Sequence, residues 1–119
     1  MFTDGNVTVM VSDINRALEF YVEKLGLTLK SRYADHFAEV QAGGLTIALH
    51  PAIENGPKPG NSESLSTGLG VDNLDQAMSI LSGKGVTFGQ LRNDGPVRLA
   101  FFKDPDGNPL YLSQMQKWS

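Results

Sequence analysis

A segment near the amino terminus is repeated about 60 residues further along the chain. Residues 11–29 and 71–88 carry the same order of apolar, small and basic positions, at an offset of 60 that becomes 59 after the lysines. The pairs in register are Val11/Val71, Ile14/Leu74, Ala17/Ala77, Leu18/Met78, Phe20/Ile80, Lys24/Lys84 and Thr28/Thr87. Because a repeat sets the architecture, the sequence predicts two similar modules that enclose a space between them.

Each copy has the same order of predicted elements. Apolar and polar residues alternate over residues 6–11, which predicts a strand with one apolar face. Ser12 or Asp13 can cap the helix that follows, its apolar stripe runs from Ile14 to Leu25, and Gly26 is placed to end it. Three further strands complete each copy. In the first copy, residues 37–42 and 45–50 form a hairpin around Gly43-Gly44, with Glu39 across from Ala48. In the second, a short strand at 86–90 precedes a hairpin of 97–103 and 109–113. The predicted fold is α+β, a single domain over residues 1–119 with two tandem βαβββ modules, at about 5–50 and 66–113.

A loop over residues 51–65 joins the two modules. It is rich in proline, glycine and asparagine, which are the residues of turns and irregular segments. The loop is long for a compact domain, so it is either a lid or pocket wall, or a plain linker.

Composition excludes several classes of protein. The net charge is −3 without a basic cluster, which argues against nucleic acid as a partner. The chain has no cysteine, so thiolate metal sites and cysteine nucleophiles are excluded. No apolar run approaches the roughly 20 residues of a membrane span, and no signal peptide is recognisable, so we expect no membrane association and a cytoplasmic location.

Strand alternation divides the predicted sheet into an apolar face and a mixed face. The apolar face, with valine, leucine and isoleucine side chains, is expected to pack under the helices. The mixed face is expected to be concave and to hold a partly apolar small molecule. Its candidate ligand-binding residues are Phe37, Glu39, Ala48, His50, Arg98, Phe102 and Tyr111. A one-residue slip in either hairpin would exchange its two faces.

Two segments resemble a known family. They are Val11–Leu27, with its Phe-Tyr and Leu-Gly pairs, and Phe102–Leu112, with Asp-Pro-Asp-Gly-Asn-Pro in its turn. Both are similar to the vicinal oxygen chelate superfamily, the group of glyoxalases, bleomycin-resistance proteins and dioxygenases. The resemblance implies a cup-shaped mixed sheet with helices on its outer face, and a homodimer.

Enzymes of that family hold a divalent metal in the cup through histidine and glutamate or glutamine. The resemblance carries those ligand positions to Asn6, Ala48, Ser66 and Tyr111. None of the four offers the expected imidazole or carboxylate donor, and an alanine side chain cannot coordinate at all. We therefore expect no metal and no cofactor.

Individual candidates keep two interpretations each. His50 either binds a ligand or acts as a base on the mixed face, or it is simply a histidine at a strand end. Glu39 is either a base or a ligand anchor on that face, or a surface carboxylate. Arg98 is either a clamp for a ligand or the partner of Glu39. Tyr111 either stacks on a ligand or fills the empty metal position. Trp118 could cover a pocket or a dimer seam, or it could fray.

Three functions remain open. The first is a metal-free small-molecule binding protein of the bleomycin-resistance type, which sequesters an aromatic or drug-like ligand and so confers antibiotic resistance. The second is an enzyme of the family, a glyoxalase-like lyase or isomerase or a dioxygenase, with an atypical or absent metal site. The third is a structural or regulatory module whose cup is closed by its own side chains.

Overall fold

The computed structural model describes residues 1–62 and 64–115, so Trp118 lies outside the described residues. The chain forms two compact units, which are residues 1–61 with 105–107 (unit 1) and residues 62–104 with 108 onward (unit 2). The elements are β1 Val7–Val11, α1 Ile14–Leu18, β2 Thr28–Tyr33, β3 Phe37–Ala42, β4 Leu45–Pro51, β5 Thr67–Gly70, α2 Leu74–Gly83, β6 Phe88–Asp94, β7 Val97–Lys103 and β8 Pro109–Met115. This order confirms the α+β class and two runs of strand, helix and three strands.

Unit 1 is a four-stranded sheet in the order β1-β4-β3-β2, with β1 parallel to β4 and the other pairs antiparallel. The two-residue turn at Gly43 and Gly44 joins β3 to β4, and Gly43 has the positive φ of 55° that such a turn requires. The apolar face is fully buried at Val11, Ala38, Val40, Ile47 and Leu49. Burial of this apolar surface is the main source of stability in the unit.

The helix of unit 1 departs from the regular helix predicted by its apolar stripe. Asp13 caps it, accepting hydrogen bonds from the Asn15 and Arg16 amides, but the segment Glu19–Lys24 is a π-helix. The Leu25 amide donates to the Phe20 carbonyl at 2.9 Å, one residue further back than in an α-helix. Within this wider turn Phe20 and Tyr21, which are adjacent in sequence, are both buried, with ring centroids 5.3 Å apart.

Unit 2 repeats this topology in the order β5-β8-β7-β6. Asn73 caps α2 and accepts a hydrogen bond from the Gln76 amide at 2.9 Å. The core consists of buried residues from the helix and the two central strands, which are Leu74, Leu81, Ala100, Phe102, Leu110 and Leu112. Of the helices in the described residues, none is long and apolar enough to cross a bilayer.

The hairpin of β7 and β8 differs from that of β3 and β4 in its loop. Five residues, 104–108, separate the last paired residues, and Asp104 closes the loop: its amide donates to the Asn108 carbonyl, and its carboxylate accepts from the Asn108 amide at 2.8 Å. The register that follows pairs Phe102 with Leu110 and Phe101 with Tyr111. The predicted register of this hairpin is therefore wrong by one residue, because the loop has an odd number of residues.

Candidate functional site

Each sheet has one face that packs under its helix and one face that does not, which we call the helix-free face. In unit 1, Arg32 shows which face lies under the helix, because its guanidinium donates to Asn15 of α1 at 2.7 Å. In unit 2, the Leu74 amide of α2 donates to the side chain of Gln114 at 2.6 Å. Alternation then assigns the remaining strand residues to their faces.

The helix-free face of unit 1 is polar at its centre. The register places Thr8, Ala48 and Glu39 side by side across β1, β4 and β3, as predicted for Glu39 and Ala48. Glu39 is half-buried, and its Oε1 accepts a hydrogen bond from the Ser31 hydroxyl at 2.9 Å. This fixes one carboxylate on the face, where it can accept a hydrogen bond or attract a cationic group.

His50 and Phe37 lie on the same face. His50 is beside Met10 in the register, two residues beyond Ala48, and Phe37 pairs with Tyr33 at the other end of β3. The His50 Nδ1 is 2.8 Å from the Pro51 carbonyl. Since a carbonyl only accepts, Nδ1 carries the proton, and in the neutral ring Nε2 has a free lone pair. The structure thus brings Phe37, Glu39, Ala48 and His50 together on one face.

The helix-free face of unit 2 is aromatic at its centre. Gly68, Tyr111 and Phe101 lie side by side across β5, β8 and β7. The Phe101 and Tyr111 rings have centroids 6.0 Å apart and planes tilted by 47°. Both residues are half-buried, so part of each ring is open to a ligand. Phe101 is not among the predicted site residues, because the register depends on the length of the loop that begins at Asp104, and the sequence alone allows more than one length.

Arg98 and Phe102 do not share this face with Tyr111, so the prediction that they do is wrong. Arg98 makes two hydrogen bonds to the Asp75 carboxylate of α2, at 3.1 and 3.2 Å. These bonds, helped by the opposite charge, lower the pKa of Asp75 and raise the pKa of Arg98. Phe102 is buried against Phe88, with ring centroids 5.3 Å apart. Both side chains therefore stabilise the packed side of unit 2.

A shallow cleft of about 320 Å³ adjoins the aromatic row. It is lined by Gly70, Val71, Asp72, Ser113 and Met115. Gly70 and Ser113 are neighbours in the register and lie two residues beyond Gly68 and Tyr111 on the same face. The cleft therefore extends the helix-free face of unit 2. A second cleft, of about 340 Å³, lies at the helix surface of unit 1 beside Arg16, Phe20 and Lys24.

The resemblance assigns metal ligands to four positions, and the side chains present there are not the donors that it leads one to expect. Asn6 is exposed and accepts a hydrogen bond from the Thr8 hydroxyl at 3.2 Å, and the Ala48 methyl is buried. Ser66 precedes β5, and Tyr111 presents a phenol. Across residues 1–62 and 64–115, no group of three histidine, aspartate or glutamate side chains could hold a metal ion.

Known proteins of similar structure cover nearly the whole chain. An antibiotic binding protein from Streptomyces sp. CB03234, TnmS3, is 29% identical, with a TM-score of 0.78 over 97% of this chain and 99% of that one. A member of the glyoxalase/bleomycin resistance protein/dioxygenase superfamily from Sphaerobacter thermophilus DSM 20745 is 30% identical. Its TM-score is 0.75, over 96% of this chain and 98% of that one.

Sequence comparison identifies the same family. The uncharacterized protein YurT of Bacillus subtilis (strain 168) is 32% identical over 120 aligned positions, which cover 90% of this chain and 94% of that protein. The sequence profile of one superfamily matches residues 5–112. The chain therefore belongs to the Glyoxalase/Bleomycin resistance protein/Dioxygenase superfamily, as its two resembling segments predicted.

Proposed function

We propose that the protein is a metal-free small-molecule binding protein that sequesters an aromatic or drug-like ligand. The observation that carries the proposal is the aromatic row of unit 2. Tyr111 stands where the family's enzymes have a metal ligand, and Phe101 lies beside it with its ring tilted and partly open. The antibiotic-binding activity of a relative of 29% identity supports the same reading.

The chemistry of the row favours binding over Lewis-acid catalysis. Aromatic pairs contribute about 0.5–1.5 kcal/mol beyond the area that they bury, so two rings at one site contribute usefully to affinity. A phenol and a phenyl ring do not polarise a carbonyl as a divalent metal does. The helix-free face of unit 1, taken by itself, carries Glu39 and His50 as hydrogen-bonding groups.

Calorimetric titration of the chelator-treated protein with bleomycin-like and other aromatic compounds tests the proposal. We expect saturable binding that is unchanged by added divalent metal and is weakened in Tyr111→Leu. Ile80→Ala is the matched control, because this side chain is more than half exposed and lies on α2, on the other side of the sheet from the helix-free face. Lack of binding by every compound, together with turnover of a substrate by metal-loaded protein, would contradict the proposal.

A second candidate function, an enzyme of the family, is favoured by the fixed carboxylate of Glu39. Ser31 holds this carboxylate on a face that also carries His50, whose Nε2 can accept a proton. Either group could serve a metal-free isomerase. Elemental analysis of the purified protein distinguishes a metalloenzyme from a metal-free binding protein and from a metal-free isomerase. For an isomerase, loss of turnover in Glu39→Gln or His50→Gln would identify the base.

A homodimer is part of the proposal. The outer strands β2 and β6 are exposed along nearly their whole lengths, and Tyr33 is 73% and Leu91 55% exposed. Exposed edge strands with apolar side chains invite pairing with a second chain. Sedimentation at micromolar concentration should give a dimer that Tyr33→Glu weakens, while the loop variant Ile53→Glu does not. A monomer at every concentration would refute the dimer.

A further inference from the structure

The ring of Tyr111 lies across Gly68 of the neighbouring strand. A Cβ atom at Gly68 would overlap the Tyr111 ring carbons and hydroxyl, whereas a Cβ at Gly70, on the same strand and face, would meet nothing within 4 Å. We propose that Gly68 is a positioning residue that sets the ring of Tyr111 and thereby the specificity of the site for a planar aromatic ligand. This inference rests on the proposed small-molecule binding.

The backbone does not explain the glycine. Gly68 is absent from the glycines with positive φ, so its conformation is open to any residue. A glycine within a strand is destabilising relative to other residues, because it loses more entropy on folding and packs no side chain. Unit 1 has Thr8 at the equivalent position, beside the small Ala48. The missing side chain in unit 2 is therefore explained by the ring that occupies its place.

The position of the ring determines what it can bind. Lying over Gly68, Tyr111 directs one ring face away from the sheet, and Phe101 borders it at a tilt of 47°. A flat ring can stack on the first and meet the edge of the second, which is a favoured aromatic arrangement. The Tyr111 hydroxyl forms no hydrogen bond with any residue in 1–62 or 64–115, and can bond a polar atom at the rim of the ligand.

The centre of the row carries no charge. Gly68, Tyr111 and Phe101 are uncharged, and Ser113 continues the face as a neutral polar residue. Charged side chains lie beyond the two rings: Lys103 follows Phe101 on the same face of β7, and Asp72 lines the adjoining cleft. At the rings themselves, stacking and hydrogen bonding therefore select the ligand.

The test compares 2-naphthol with its saturated counterpart, decahydro-2-naphthol, by NMR titration of the wild type, Gly68→Ala and the control Gly83→Ala, whose Cβ in α2 would meet nothing within 4 Å. The two probes share a hydroxyl group and a fused-ring skeleton but differ in planarity. We expect the wild type to prefer 2-naphthol, Gly68→Ala to bind it about tenfold more weakly, and Gly83→Ala to stay within about twofold of the wild type. Thermal unfolding of each variant checks that it folds.

A double-variant cycle separates positioning from a general structural role. If Gly68 acts through the ring, Gly68→Ala has no further effect on 2-naphthol binding once Tyr111 is replaced by leucine. An undiminished effect in the Tyr111→Leu background overturns the positioning role. Equal binding of 2-naphthol by the wild type and Gly68→Ala also overturns it. If the wild type binds both probes equally well, the proposed preference for a planar aromatic ligand is wrong. The calorimetric titrations described above decide separately whether the protein binds small molecules.

Discussion

The two units place different side chains at equivalent positions of the same topology. On the helix-free face, unit 1 has Thr8, Ala48 and Glu39 across β1, β4 and β3, and unit 2 has Gly68, Tyr111 and Phe101 across β5, β8 and β7. At the first position unit 1 has the larger residue, Thr8 against Gly68. At the second position unit 2 has the larger residue, Tyr111 against Ala48. At the third position a carboxylate is replaced by a phenyl ring.

The packed sides of the two units, in contrast, are alike. Leu49 and Leu112 occupy equivalent positions and are 0% and 2% exposed, and the first helical residues Ile14 and Leu74 are 3% and 1% exposed. Close packing tolerates little change of shape in a core, whereas a face without a helix over it is free to vary. The comparison teaches that the repeat preserves a scaffold, and that function must be sought where the copies differ.

The largest expected effect is on this shared scaffold. Leu49→Ala and Leu112→Ala should each lower the free energy of unfolding by about 2–5 kcal/mol, because each removes a buried side chain and leaves a cavity. Urea unfolding followed by circular dichroism measures both. Exposed Ile80→Ala is the control and should change stability by no more than about 0.5 kcal/mol. A loss below about 1 kcal/mol in only one core variant would break the equivalence of the two packed sides.

The next effect concerns the difference between the helix-free faces. Tyr111→Ala gives unit 2 the residue that unit 1 has at this position, and should weaken binding of neutral aromatic ligands by about 1–3 kcal/mol, since a stacking ring is lost. Isothermal titration calorimetry measures the loss. Glu39→Gln should leave the same affinity nearly unchanged, because it removes a charge and keeps a hydrogen-bonding side chain. A larger effect of Glu39→Gln than of Tyr111→Ala would assign recognition to unit 1.

The two hairpin turns should differ in their sensitivity to substitution. Asp104→Ala should destabilise unit 2 by about 1–3 kcal/mol, because Asp104 is only 5% exposed and its carboxylate accepts two hydrogen bonds from Asn108. Gly43→Ala should cost unit 1 about 1 kcal/mol, the strain of a positive φ. Thermal unfolding compares the two. If Gly43→Ala lowered the unfolding temperature more than Asp104→Ala, the hydrogen bonds of Asp104 would not be the main source of stability in the five-residue loop.

The smallest effect is a pH dependence confined to unit 2. The hydrogen bonds and charge of Arg98 lower the pKa of Asp75, so this carboxylate stabilises the fold above its unfolded pKa of about 4 and loses that contribution as the pH falls through its folded value. Unit 1 has the neutral Asn15 at the equivalent position.

Asp75→Asn should therefore slightly lower the unfolding temperature at neutral pH, and the difference from the wild type should shrink below about pH 4 and in high salt. Differential scanning calorimetry at several pH values measures it. Asp4→Asn, at an exposed position without an ion-pair partner in the described residues, is the control. A wild-type advantage that persisted at acidic pH would show that the asparagine acts through packing.

Much of the fold could be predicted because local patterns report local structure. Asp13 caps the first helix, and Gly43-Gly44 makes the first hairpin, as their residue types indicate. The helix continuation was missed: the apolar stripe of residues 14–25 fits a regular helix, and only the burial of both Phe20 and Tyr21 distinguishes the π-helical turn. Strand β6 also runs to Asp94, beyond its predicted end near Gln90.

The residues on the helix-free face could be predicted for unit 1. For unit 2, Tyr111 was predicted correctly, but its neighbour on β7 was not. The two-glycine turn allows only one register for the first hairpin, so the prediction that Glu39 lies beside Ala48 is correct. The second turn has several possible lengths, and the choice between them exchanges Phe102 for Phe101 beside Tyr111. No local signal decides that choice, since both phenylalanines suit a strand equally well.

The repeat, the order of the elements and the family follow from the sequence, because they depend on residue identity and spacing alone. Which side of β7 faces away from the helix is known only from the tertiary structure. The tertiary structure also placed the Tyr111 ring over Gly68 and paired Arg98 with Asp75. These depend on the register of strands distant in sequence, where a shift of one residue reverses every side chain.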